Sequence, residues 1–176
     1  MNKRVLFLLL AISINSQKLL SQSVQSDPDA RLLTAAKNII DNAPSCALIS
    51  LDEDGLSRVR AMDPFTPEDD FTIWFGTNSH SAKVQQIKSK PNVSLYYLDA
   101  DNTGYVIIQG KAEIVDDPEL KSKYWKEEWK DFYPDYPDDY SLIIVQPEWL
   151  EVISEKDEIL GDPKTWKAPR YSFKTD

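Results

Sequence analysis

Cysteine and histidine are nearly missing from this chain of 176 residues, with Cys46 and His80 the single examples of each. One cysteine excludes an internal disulfide framework, and one histidine leaves no cluster for zinc, so no metal site is expected. Ser-His-Asp chemistry would have to run through His80, which stands in the polar run "TNSHSAK", residues 77–83, and is not expected there. Positive charge is also scarce: 20 Lys and Arg face 29 Asp and Glu, a formal net charge of −9. Proteins that track nucleic-acid phosphates are normally basic, so neither DNA nor RNA is expected as a partner, although a local anion pocket is compatible with the total. Long apolar runs are absent apart from Val5 to Ile14, which Ser13, Asn15 and Lys18 break up, and a membrane span needs about 20 apolar residues.

That first stretch has a Lys3/Arg4 start, an apolar centre and small polar residues after it. It reads as a secretory signal peptide over residues 1–23. Export to the periplasm or outside a bacterial cell is expected, with no membrane partner after cleavage. Removing three basic residues takes the formal charge from −9 to −12. No lipobox cysteine follows the apolar run and no twin-arginine pair precedes it, so passage would be as an unfolded chain. Residues 24–176 are then one domain, with its core at about 46–154.

Apolar positions Leu32, Leu33, Ala36, Ile39 and Ile40 recur at helical spacing, giving an amphipathic helix from Asp27 to Asp41 that ends before Pro44. "CALISLD", "EDG" and "LSRVRAMD" read as two strands joined at a tight Asp-Gly turn. "FTIWFGT" is a third strand, a helix follows from about Ser79 to Lys90, and "NVSLYYLD" and "GYVIIQGKAEIV" make another strand pair. Pro118 to Phe132 is helical in pattern, "YPDYPDDY" is a loop, and "SLIIVQPEWLEVIS" is a long strand. The expected class is mainly β (α+β): an antiparallel split barrel of about six strands with peripheral helices. Gly110 interrupts the fifth strand, where a bulge would let it turn a corner. Val106, Ile108, Ala112 and Ile114 share one side of that strand, and Tyr105, Ile107, Gln109 and Lys111 the other. Its first half is apolar on both sides, and a second subunit is the economical cover, so a homodimer is expected.

Period-two alternation puts Arg58, Arg60 and Met62 on one face of the second strand. Pairing of the second and third strands would bring those arginines opposite the Trp74–Gly76 end of the third. The next helix would then open beside them, with the hydroxyls of Thr77, Ser79 and Ser81, free amides and Lys83 converging on one point. Lysine in the first turn of a helix opposes the dipole unless an anion lies between, so the cluster reads as a phosphate pocket. The alternative is solvated arginines, a surface lysine and a capping serine. Gly76 at the strand end would let a flat ligand come close.

"GLSRVRAM", "FGTNSHSAKVQQIKSKPNVSLYYLD" and "VIIQGKAEIV" resemble, in order and spacing, the FMN-binding split barrels of the pyridoxamine 5'-phosphate oxidase-like superfamily, particularly the general stress protein type. The resemblance runs from about Cys46 to Ser154 and implies a homodimer with FMN at the subunit interface. It implies flavin contacts at Arg60, Ala61 and Met62, at the strand end Gly76 and Thr77, and at Ser81 and Lys83, the last a phosphate ligand. Many relatives have Arg-Lys where this chain has Ala82-Lys83, Tyr105 stands where the oxidases proper place glutamine, and the arginine-rich C-terminal substrate signature is missing from "GDPKTWKAPRYSF". Vitamin B6 oxidation is therefore not expected. The leading function is a flavin-dependent oxidoreductase of unknown substrate with no assigned catalytic side chain. The alternatives are a flavin carrier, sensor or stress protein without turnover, and an exported barrel that binds some other small ligand. "DADNTG" starts like a calcium loop, but its twelfth position is Gly110, so a hairpin turn is expected. Trp125 and Trp129, four apart, read as core or interface.

Overall fold

The computed structural model describes residues 27–174; the expected signal peptide lies outside them. The chain divides into two units, 1–31 and 32–176. Of the first, residues 27–31 are described, an opening helical turn in which the Asp29 amide donates to the Asp27 carboxylate.

Helix α1 (Pro28–Asn42) buries Leu32, Ala35, Ala36, Ile39 and Ile40, the i, i+3, i+4, i+7, i+8 pattern that makes one apolar stripe. Six strands carry the sheet: β1 (Cys46–Leu51), β2 (Ser57–Met62), β3 (Ile73–Asn78), β4 (Asn92–Leu98), β5 (Gly104–Val115) and β6 (Tyr140–Ser154). A seventh short one, β7 (Arg170–Ser172), is added by the C-terminal tail. All pairings are antiparallel, in the order β2-β1-β4-β5-β6-β3, with β7 also on β6. The Asp-Gly turn between β1 and β2 is as the sequence predicts. Gly55 has φ 81°, and the Leu56 amide donates to the Asp52 carboxylate at 2.9 Å, the local side-chain bond that favours aspartate in turns.

Two expectations about the sheet need correcting. Strands β2 and β3 do not pair: β3 takes β6 as its neighbour, with Ile73 opposite Val145 and Asn78 opposite Tyr140. The barrel closes through a single bridge, Pro64 to Phe75. The irregularity opposite Gly110 is also on the other strand. Gln109 faces Trp149 and Gly110 faces Pro147, so Glu148 of β6 is the extra residue. Proline cannot donate to a ladder, which is why a bulge sits there. Gly110 is needed for close approach, since a Cβ on it would lie 2.2 Å from the Gln146 carbonyl oxygen.

Inward-facing Leu48, Leu95, Ile108, Leu150, Phe75 and Ile143 form the main core with the α1 stripe, each fully buried. A second cluster centres on Trp74, Tyr124, Tyr140 and Leu142. It draws in the segment after β5, which the sequence pattern made one helix. Instead α3 (Pro118–Lys123) ends at Tyr124, Lys126 is extended, and a 3₁₀ turn covers Glu127–Trp129. Among the described residues no helix is long and apolar enough to cross a membrane.

Candidate functional site

The chemistry gathers where β3 runs into helix α2 (Ala82–Ser89). Ser81 is the N-cap residue, in extended conformation, yet its hydroxyl makes no capping bond and no acid occupies the first turn. The hydroxyl faces Thr77 Oγ1 at 3.3 Å, and Lys83 Nζ donates to both, at 2.9 Å to Thr77 and 3.3 Å to Ser81. Lys83 therefore folds its ammonium back over the positive end of its own helix. The helix starts three residues later than predicted because Ser79 is held elsewhere: its amide donates to the Asp139 carbonyl and its hydroxyl to the Asp138 carbonyl.

Arg60 is turned along β1 rather than across to β3. It donates to Ser50 Oγ at 2.9 Å and to Gln86 Oε1 at 2.7 Å, all neutral acceptors. Burial, then Arg58, lowers the Arg60 pKa; burial, then Arg60, holds Lys83 below the ordinary lysine range. The ion pairs among the described residues engage Lys37, Lys111, Lys121, Lys126, Lys156 and Arg170. Arg58, Arg60 and Lys83 thus form a cation group without carboxylates in a chain whose net charge is −9.

Ala61, Met62, Gly76, Thr77 and Lys83 line one cleft of about 550 Å³, together with Asp63, Asn78, Trp129, Phe132 and Tyr133. Of the other predicted residues, Ser81 touches Lys83 from behind, and Arg60 acts through its charge without lining the cleft. The aromatic wall was missed because its segment has helical spacing; the signal was the density of rings leading into Pro134 and Pro137. Gly76 serves this wall: a Cβ there would lie 2.4 Å from the Trp129 ring and 2.7 Å from Tyr140. Side chains of the protein, not a flat ligand, take that approach. Asp63 is paired with Lys126 at 2.7 Å, and Lys126 Nζ lies 5.0 Å from the ring centroids of both Phe65 and Trp129. Elsewhere, burial pushes the Cys46 thiol up to about 12, so it is protonated at neutral pH and no nucleophile. A smaller cavity of about 340 Å³ beside Ile40 and Phe65 carries Asp41 and Asp63 and no basic side chain.

A split antiparallel barrel with a cationic cleft at one strand-to-helix junction defines a recognisable class. Residues 33–151 match the sequence model described as "Pyridoxamine 5'-phosphate oxidase like", and the chain belongs to that family. General stress protein 26 of Bacillus subtilis (strain 168) is 32% identical over 91 residues, 49% of this chain and 64% of that protein. The alignment therefore spans somewhat less than two thirds of the relative. A crystal structure of a protein related to general stress protein 26 from Clostridium acetobutylicum superposes with TM-score 0.67 at 19% identity, covering 82% of this chain and 96% of that one. General stress protein 26 from Bacillus anthracis str. Sterne gives 0.57 at 26% identity, over 71% and 92%.

Proposed function

We propose that this chain is an FMN-binding split-barrel protein, a flavin-dependent oxidoreductase that acts as a homodimer after export. The observation that carries the reading is the Lys83, Thr77 and Ser81 cluster beside Arg60, a donor set with no carboxylate against it. Such a set fits a phosphate, which supplies two negative charges and several acceptors at once. Lys83 and Thr77 would hold the phosphate, with Arg60 adding field. Ala61, Met62 and Asn78 would line the remaining space, and Trp129 and Tyr133 would keep water from one side. The flavin, when bound, supplies hydride and electron transfer, and the protein supplies orientation and electrostatics.

The homodimer is supported by the outward face of the sheet. Ala61, Ala47, Tyr96 and Ile107 stand in one cross-strand row and Val59 and Ile49 in the next. Val59 is 65% exposed, on a face that alternation would make polar if water were its only neighbour. Vitamin B6 phosphates are not the substrates proposed, because a second anion subsite would be required. Arg170, the arginine of the tail, is committed to Glu151 at 2.6 Å and stacked over Trp149 at 3.8 Å.

A flavin carrier without turnover is the second reading. In its favour, the cleft lining includes no histidine or cysteine, and its one acid, Asp63, is already paired. Purified protein titrated with FMN should show the shifted, structured visible spectrum of bound flavin, and no binding would refute both readings. Bleaching by a nicotinamide donor, with recovery on adding an acceptor, separates the oxidoreductase from the carrier.

A further inference from the structure

The cleft has two ends of opposite character. One is the cationic group at Lys83. The other is the wall of Trp129, Phe132 and Tyr133, which lies within a segment, residues 127–139, holding six acids (Glu127, Glu128, Asp131, Asp135, Asp138, Asp139) and one base, Lys130. Phe132 is 75% exposed, a large apolar ring left facing solvent at the mouth. Asp139 is 8% exposed, and its Oδ1 accepts no hydrogen bond. Asp139 does not line the cleft itself, and its other carboxylate oxygen accepts from the Asp135 amide, so it bears on the wall through its field. Its field already reaches the wall, since burial and then Asp139 push the Tyr133 phenol up. The protein itself shows what this wall attracts: Lys126 sits over the Trp129 and Phe65 rings while pairing with Asp63. Ring faces carry negative potential, and carboxylates behind them deepen it.

We propose that the wall end of the cleft binds a flat organic cation, such as an N-alkylated or protonated nitrogen heterocycle, as the substrate or redox partner. The inference rests on the flavin reading, which places an anion at the Lys83 end and leaves the wall end for the second reactant. Anionic substrates would meet the acids of residues 127–139 and be turned away. Neutral analogues of the same shape keep the stacking and lose the electrostatic part.

Three probes of one shape separate these contributions: 1-methylnicotinamide, a cation; nicotinamide, neutral; and nicotinate, an anion. Calorimetric titration of each into FMN-loaded protein should give at least about five-fold tighter binding for the cation than for the neutral probe, the range that cation–ring attraction supplies when partly desolvated. Nicotinate should bind weakest. Phe132→Ala and Asp139→Asn should each shrink the cation-to-neutral ratio, the second without altering shape. FMN uptake is followed separately through its visible spectrum. Protein that binds FMN but holds all three probes equally, prefers nicotinate, or binds none at millimolar concentration overturns this inference and leaves the flavin reading intact. A cation preference that vanishes in the two variants, in protein that takes up no FMN, supports a cation subsite at the wall but overturns the flavin reading and, with it, the cation's role as substrate or redox partner.

Discussion

Replacing Lys83 by alanine addresses the phosphate cluster at its most telling point. The ammonium is half-buried, donates to two uncharged hydroxyls and feels Arg60 as a like charge. The free protein therefore holds this charge at a cost, and removing it should leave the stability of the free chain unchanged or slightly raised. Bound FMN reverses the situation by providing the counter-charge. A hydrogen bond between charged groups contributes about 1.5 to 3 kcal/mol. Exposure of part of the side chain argues for the lower end of that range, so the dissociation constant should rise about ten-fold. Riboflavin, the same ring system without phosphate, is the internal control, and its affinity should not change. Titrating the apo-protein with both ligands by fluorescence, at low and high salt, gives the comparison. Equal weakening for riboflavin would mean that Lys83 supports the fold or the ring; unchanged FMN affinity would remove it from the site altogether. Arg60→Ala should act in the same direction and more weakly, because its guanidinium is turned to Ser50 and Gln86.

The lowered Lys83 pKa also has a pH signature. The folded chain releases this proton at lower pH than the unfolded chain, so this group's contribution to stability rises as pH climbs from the folded value toward the ordinary lysine value, while FMN affinity measured across the same interval falls. Gly110→Ala should cost about 3 kcal/mol or more in thermal or denaturant unfolding, because its Cβ meets backbone atoms of Gln146 and Pro147 that cannot move aside. Gly76→Ala meets the Trp129 and Tyr140 side chains instead; about 1 to 3 kcal/mol is expected, and a larger loss than for Gly110→Ala would contradict the packing described. Light scattering across a concentration series should find a dimer, and Val59→Asp should shift it toward monomer with an unchanged circular dichroism spectrum; a monomeric parent protein that binds FMN fully would sink the interface proposal.

Strands β1 and β4 were legible because each is short and alternates in burial, and the β1–β2 turn because Asp52 and Gly55 do its chemistry locally. The Thr77, Ser81 and Lys83 convergence was legible for the same reason, since one turn of chain and helix sets it. What alternation cannot supply is the identity of a distant neighbour. Trp74 and Gly76 look equally ready to pair with β2 or with β6, and the choice is made by residues such as Ile143 and Val145, far along the chain. The direction of Arg60 went with that choice. The aromatic wall was hidden by Tyr124, Trp125 and Trp129, whose spacing fits a helix that Lys126 leaves by adopting φ −114° and ψ 123°. Pro147 marks the bulge in the sequence, one strand away from Gly110.

Closure of the barrel by one bridge has a mechanical meaning. At the seam the Phe65 amide donates to the Trp74 carbonyl at 2.9 Å, and Pro64 has no N–H to offer. The banks of the cleft, Ala61 to Asp63 on one side and Gly76 to Asn78 on the other, are thus the two lips of a slit tube, joined around the back by every other strand. Such a tube can gape or narrow by small changes of twist shared over the whole sheet, with no ladder bond broken. A ligand touching both lips acts as a clasp, and its grip should be felt as slower amide exchange along the two edge strands, beyond the residues it touches.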